Sequence, residues 1–220
     1  MKIVIIGAME KEVERYLEIY NAEIVDRERK IYKAKDEEII IARSGIGKVN
    51  SAMMTQYIID KFEPDVVISS GCAGSLTKEL EVLDVIIPPF VTYHDFLPER
   101  VMKFSTPDGG NIIVDEDLRK LFKDVMEKIP SAKYKELPIC SGDCYVTTEE
   151  EAKRIIGATG CLVVDMESAS IGHVARKNKV PFITIRTISD FANGADDFET
   201  VASRLASDII SKCLEKLLTI

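Results

Sequence analysis

The sequence predicts an α/β fold: a single domain with a twisted mixed β-sheet flanked by helices. Three observations predict it. Runs rich in Val and Ile recur at strand length, at residues 2–6, 39–42, 65–69, 83–87, 161–164 and 181–188, nearly continuous rather than alternating, as strands buried on both faces require. Helical patterns fall between several of these runs. Segments 22–26 and 30–35 read as a hairpin-like excursion, which makes the sheet mixed rather than purely parallel.

In chain order, the first strand, Ile3-Val4-Ile5-Ile6, leads into a helix over 10–20, and the excursion returns to a strand at 39–42. A helix over 48–62 precedes the strands at 65–69 and 83–87. Residues 89–111, from Pro89 to Gly109-Gly110, show little periodicity, and so long an irregular stretch in a compact domain reads as a lid or a subunit contact. Then follow a helix over 115–129, a strand at 134–140, a helix over 149–156, a strand at 161–164, a helix over 167–178 and a strand at 181–188. The closing helix, from about 198 to 218, repeats Val201, Leu205, Ile209, Cys213 and Leu217 at i, i+4 spacing, a face that packs on the core.

The composition bounds the function. With 220 residues, 46% hydrophobic and 30% charged, the chain has material for one globular core over residues 1–220, and disorder, collagen and coiled coil are excluded. A net charge of −8 with no Lys/Arg block argues against nucleic acid as a partner. No run is long and uninterrupted enough to cross a bilayer and the N-terminus lacks a secretory signal, so a cytoplasmic protein away from membranes is expected. The five cysteines form no CxxC pair and read as reduced thiols. With His94 and His173 the only histidines, no metal site is expected.

In open α/β sheets ligands sit outside the carboxyl ends of the strands. Here those ends carry Gly7-Ala8-Met9-Glu10-Lys11-Glu12, Arg43-Ser44-Gly45-Ile46-Gly47, Ser70-Gly71-Cys72-Ala73-Gly74-Ser75, Ser141-Gly142-Asp143, Asp165-Met166-Glu167 and Ser189-Asp190. The glycines at 45, 47, 71 and 74 suit either close approach to a ligand or plain strand-to-helix turns. Asp165, Glu167 and Asp190 follow strongly apolar stretches, where a carboxylate is costly to desolvate unless it is paired or used. Each has a structural alternative: Glu12 and Glu167 could complement a helix dipole, Asp190 could cap a turn, and Arg186 could be its ion-pair partner. Together, several acids, one arginine, glycine-rich ends and no histidine dyad favour proton transfer and cation stabilisation, the chemistry of glycosidic cleavage, over acyl transfer.

Seven motifs occurring in order, Met1 through Val13, Ser44-Gly45-Ile46-Gly47-Lys48-Val49, Gly71-Cys72-Ala73-Gly74, Tyr93-His94-Asp95, Ser141-Gly142-Asp143, Val164 through Ala169 and Arg186 through Asp190, resemble the 5′-methylthioadenosine/S-adenosylhomocysteine nucleosidases. The resemblance covers nearly the whole chain. It implies a nucleoside phosphorylase-like fold, a homodimer, no metal or organic cofactor, and a place in methionine salvage. It further implies that Glu12 activates the attacking water with Arg186 nearby, that Glu167 accepts from the ribose hydroxyls and Met166 packs on the sugar, and that Asp190, supported by Ser189, gives a proton to adenine N7. Tyr145 would stack on adenine and the Val146 backbone would meet its edge, with Ile46, Cys72 and Asp165 as further substrate-binding positions. Three departures stand out: Cys72 where the family has Ser, Tyr145 where it has Phe, and the stretch Phe96 through Phe104, which does not match the family segment walling in the 5′-alkylthio group. A phosphate-using purine nucleoside phosphorylase and a hydrolase of another adenine nucleoside, such as a futalosine-like compound, are the alternatives, with a binding protein that has lost catalysis as a third.

Overall fold

Five consecutive buried residues, Ile3–Gly7, form β1, which runs parallel to β4 (Ile39–Arg43) on one side and β5 (Val66–Ser75) on the other. Ile3 to Ile6, Ile39 to Ile41 and Val66 to Ile68 are all Ile or Val because both faces of these strand segments are covered. The computed structural model describes residues 1–97, 99–129, 133–191 and 199–219. Within them β2 (Glu23–Asp26) and β3 (Ile31–Lys33) pair antiparallel and hand over to β4, the hairpin-like excursion of the sequence. The other half of the sheet holds β7 (Phe90–Tyr93), β10 (Ile139–Ser141) and β11 (Val163–Asp165) in parallel, with β11 antiparallel to the far end of β5. β12 (Phe182–Asp190) lies along β5, and the short β6 (Val85–Ile86) pairs with it.

The sheet is mixed and flanked by helices, as the sequence predicts. One helix group packs α1 (Glu10–Ile19) on α7 (Glu199–Leu217), with α4 (Glu116–Met126) also against α7; another packs α2 (Lys48–Phe62) on α6 (Ser168–Lys177). α5 (Glu149–Thr159) covers a smaller apolar cluster around Cys140, Val146, Ile155 and Cys161. Among the described residues no helix is long and apolar enough to cross a membrane.

Several boundaries differ from the sequence reading. The single strand expected at 134–140 is two: β9 (Tyr134–Lys135) pairs with β6, and β10 pairs with β7 and β11. Pro138 lies between them, and a residue without an N–H and with a fixed φ is a natural break in a ladder. The stretch expected to be irregular over 89–111 contains β7, α3 (Glu99–Ser105) and a turn at Pro107–Gly110 before β8 (Ile112–Ile113). α3 buries only Met102, so it carries no apolar stripe that periodicity could register. Pro98 and residue 198, the expected start of the closing helix, lie outside the described residues.

Gly71, Gly74, Ser189 and Asp190, expected beyond strand ends, lie within β5 and β12. The two strands continue their parallel pairing through Arg186 opposite Gly71 and Ile188 opposite Ala73, and the register shifts before Asp190 meets Gly74.

Candidate active site

A cleft of about 630 Å³, counting its open mouth, lies where the carboxyl ends of these strands converge. Ala8, Met9 and Glu12 line it from the β1–α1 junction, Ile46 from the turn after β4, and Cys72, Ala73 and Gly74 from β5. Cys144, Tyr145 and Val146 come from the segment after β10, Val164 through Glu167 from the end of β11, and Ser189 and Asp190 from β12. Of the residues expected from the sequence, all but Arg186 line it. Glu199, at the start of α7, also lines it; no apolar run precedes this acid to mark it in the sequence, and its place in the cleft is set by how α7 packs.

Glu12 is 4% exposed and is held from three directions. Its Oε2 accepts from Ala8 N at 2.6 Å and Met9 N at 2.9 Å, and its Oε1 accepts from Cys72 N at 3.1 Å. The first two bonds arise because Glu12 is the third residue of α1, where a carboxylate can fold back onto unsatisfied N–H groups at the helix start. The third requires Gly71: a Cβ there would lie 2.1 Å from Glu12 Oε1, so only glycine lets the carboxylate reach β5. The Cys72 thiol approaches the same oxygen at 3.7 Å, and burial, followed by the charge of Glu12, pushes its pKa up to about 12, so the thiol is neutral.

Glu167 is the residue before α6, and its Oε1 accepts from Gly47 N at 2.8 Å. Gly47 has φ 97°, the left-handed region that favours glycine, and this conformation places its N–H where α2 begins. Oε2 of Glu167 takes no hydrogen bond from the described residues. Burial first, and then the neighbouring Asp165, raise the Glu167 pKa well above the ordinary carboxylate range.

Asp165 lines the cleft, yet its carboxylate is taken up by the protein. Ser141 Oγ donates to Oδ1, Ser168 Oγ and Ser168 N donate to the same carboxylate, and Arg186 Nε donates to Oδ2 at 2.8 Å. Arg186, expected beside the attacking water, instead sits behind the cleft wall at 2% exposure, with Nη2 donating to Ser69 Oγ at 3.0 Å. The reason is electrostatic: burial opposes the guanidinium charge, and Asp165, then Glu12 and Glu167, more than offset it, so its pKa is raised. Asp190 is buried, and Ser189 Oγ donates to its Oδ2 at 2.8 Å. Tyr145 is 57% exposed, whereas its neighbour Val146 is buried.

A fixed carboxylate, a second one poised beside it and a third backed by a hydroxyl, all in one desolvated cleft, form a set suited to deprotonating water and protonating a leaving group. A model of the phosphorylase superfamily matches residues 2–219. The 5′-methylthioadenosine/S-adenosylhomocysteine nucleosidase of Buchnera aphidicola subsp. Schizaphis graminum is 34% identical, across 99% of this chain and 97% of its own length. The chain belongs to the phosphorylase superfamily and, within it, to the 5′-methylthioadenosine/S-adenosylhomocysteine nucleosidases. Among solved structures, the Neisseria meningitidis nucleosidase in complex with methylthio-immucillin-A superposes with a TM-score of 0.89 at 30% identity, covering 98% of this chain and 99% of that one. The native futalosine hydrolase of Helicobacter pylori superposes with a TM-score of 0.88 at 29% identity, covering 98% of each.

Proposed function

We propose that the protein hydrolyses the N-glycosidic bond of 5′-methylthioadenosine and S-adenosylhomocysteine, releasing adenine and the 5-thio-substituted ribose. The observation that carries this reading is Glu12, a buried carboxylate pinned by three backbone N–H groups in the cleft that also holds Glu167 and Asp190. Pinned in this way, Glu12 can orient a water and take its proton without moving. Glu167 Oε2 accepts from the ribose 2′- and 3′-hydroxyls, with Met166 against the sugar. Asp190, oriented by Ser189, delivers a proton to adenine N7, so the base departs neutral rather than as an anion. Tyr145 stacks on the base, the Val146 backbone meets its edge, and Ile46 is a further substrate-binding position in the lining. Arg186 and Asp165 act as positioning residues: their ion pair, sealed by Ser69, Ser141 and Ser168, sets the wall from which Glu167 projects.

Phosphate in place of water is disfavoured by the same geometry. The Cys72 N–H that could hold a phosphate oxygen is already bonded to Glu12, and the Glu12 carboxylate would repel the dianion. The test is chromatographic product analysis after incubation with 5′-methylthioadenosine, S-adenosylhomocysteine, adenosine and inosine, each with and without phosphate. Adenine with free methylthioribose, independent of phosphate, is expected. A sugar 1-phosphate formed only with phosphate would overturn the reading.

We further propose a homodimer. Lys48 Nζ bonds Asp95 Oδ1 at 2.6 Å, which ties the start of α2 to the segment leading into α3. On either side of this tie stand exposed apolar residues, Val49 and Met53 on α2 and Leu97, Val101 and Phe104 around α3. Covering these with a second copy predicts twice the chain mass in light scattering, and Phe104→Glu should shift the protein to monomer. The five free cysteines support a reducing, cytoplasmic setting, where the reaction would clear by-products of S-adenosylmethionine use and feed methionine salvage.

A further inference from the structure

If base and ribose occupy the cleft as proposed, they engage Asp190, Tyr145, Val146, Glu12, Glu167 and Met166, and Met9, Ile46 and Glu199 are among the lining residues left for a 5′ arm. Met9 and Ile46 offer apolar contact suited to a thioether and its methylenes. Glu199 is different, since it adds a carboxylate to a cleft already acidic. It bonds Lys11 Nζ, which is not itself part of the lining, and the two side chains are 24% and 29% exposed, so the pair is partly open to solvent. Lys11 directly precedes Glu12 on α1, and its charge reaches the cleft wall: it pulls the Cys72 thiol pKa down, against the larger effects of burial and Glu12.

A second ion pair joins the same two helices, Arg15 Nε to Asp208 Oδ1 at 2.8 Å, and neither of its members lines the cleft. Of these four residues Glu199 alone lines the cleft. We propose that Lys11 and Glu199 read a zwitterionic 5′ arm, Glu199 taking an α-ammonium and Lys11 an α-carboxylate, and so favour a homocysteinyl over a methylthio substituent; this rests on the nucleosidase reading above. The physical argument is one of exchange. An arm carrying both charges replaces one partly solvated ion pair by two, whereas an alkyl arm leaves the pair unchanged. The charged residues that line the cleft are all acids, Glu12, Asp165, Glu167, Asp190 and Glu199, so an incoming carboxylate needs a cation such as Lys11 beside them.

The test measures kcat/KM for S-adenosylhomocysteine, 5′-methylthioadenosine and two homocysteinyl analogues, one without the amine and one without the carboxylate, in the wild type, Lys11→Ala, Glu199→Gln and Arg15→Ala. The readout is the ratio of each homocysteinyl substrate to 5′-methylthioadenosine, which cancels any loss of folded enzyme. Lys11→Ala and Glu199→Gln should each lower the S-adenosylhomocysteine ratio about fivefold or more. The analogue without the amine should be indifferent to Glu199→Gln, the one without the carboxylate to Lys11→Ala, and Arg15→Ala should leave every ratio unchanged. Ratios within twofold of wild type in both Lys11→Ala and Glu199→Gln would overturn the inference, as would an equal shift in Arg15→Ala. Sensitivity to Lys11→Ala without sensitivity to Glu199→Gln would overturn it in favour of an arm bearing a carboxylate alone. In these three cases hydrolysis itself persists, so the nucleosidase reading stands; a wild-type enzyme that cleaves neither nucleoside overturns both.

Discussion

Replacing Gly71 by alanine adds one methyl group that never touches substrate, yet it should remove most of the activity. The new Cβ would stand 2.1 Å from Glu12 Oε1 and 2.8 Å from its Cδ, where ordinary contact begins at 3.4 Å, so the carboxylate must retreat by about 1.3 Å. Its retreat stretches the bond from Cys72 N, now 3.1 Å, and disturbs those from Ala8 N and Met9 N. A hydrogen bond to a charged group contributes roughly 1.5–3 kcal/mol, so a modest loss of stability is expected. The catalytic loss should be larger, because a displacement of about 1 Å in a reacting group costs on the order of a hundredfold. We expect kcat for adenine release to fall about a hundredfold with KM little changed. The control is the same substitution in a Glu12→Gln background: if Gly71→Ala acts through Glu12, it adds little there. Activity within threefold of wild type, or an equal further loss in the Glu12→Gln background, would refute the reasoning.

Asp190→Asn keeps the shape and removes the proton donor, and should lower kcat by a factor of about a hundred to ten thousand in the same adenine-release assay. Glu167 should make stability depend on pH. Its folded pKa is raised to about 8, so between the ordinary carboxylate range and that value the native state holds a proton that the unfolded chain has lost. This favours the native state fully at low pH and fades as pH rises through about 8, so unfolding free energies from urea titrations should fall from pH 5 to pH 8.5 by on the order of a few kcal/mol, and Glu167→Gln should flatten that slope. Arg186→Met would leave Asp165 buried without its cation, at 1% side-chain exposure, and should cost about 3–5 kcal/mol in chemical denaturation. A loss under 1 kcal/mol would mean that the serines around Asp165 suffice without the guanidinium.

Much of the site was legible because desolvation is visible in a sequence. An acid placed after an apolar run must be paired or used, and on that argument Asp165, Glu167 and Asp190 stood out. Their burial and shared cleft agree with it. Arg186 shows the limit of the same argument. Its sequence neighbours mark it as buried, but whether it faces substrate or supports the wall depends on Ser69, Ser141, Ser168 and Asp165, hydroxyls and a carboxylate that come together only when β5, β10, β11 and β12 are side by side.

The amino-acid sequence by itself determined the α/β class, the buried central strands, most helices and the identity of the acids, since periodicity and hydrophobic runs act over a few residues and need no partner. Tertiary structure alone decided which neighbours β9 and β10 pair with, the helix Glu99–Ser105 that buries one side chain, and the extension of β5 and β12 into the cleft. It also decided that Glu12 reaches across to Cys72 over Gly71, and that Lys11 meets Glu199 from 188 residues away. These are long-range contacts, set by which elements pack together, and no local pattern encodes them.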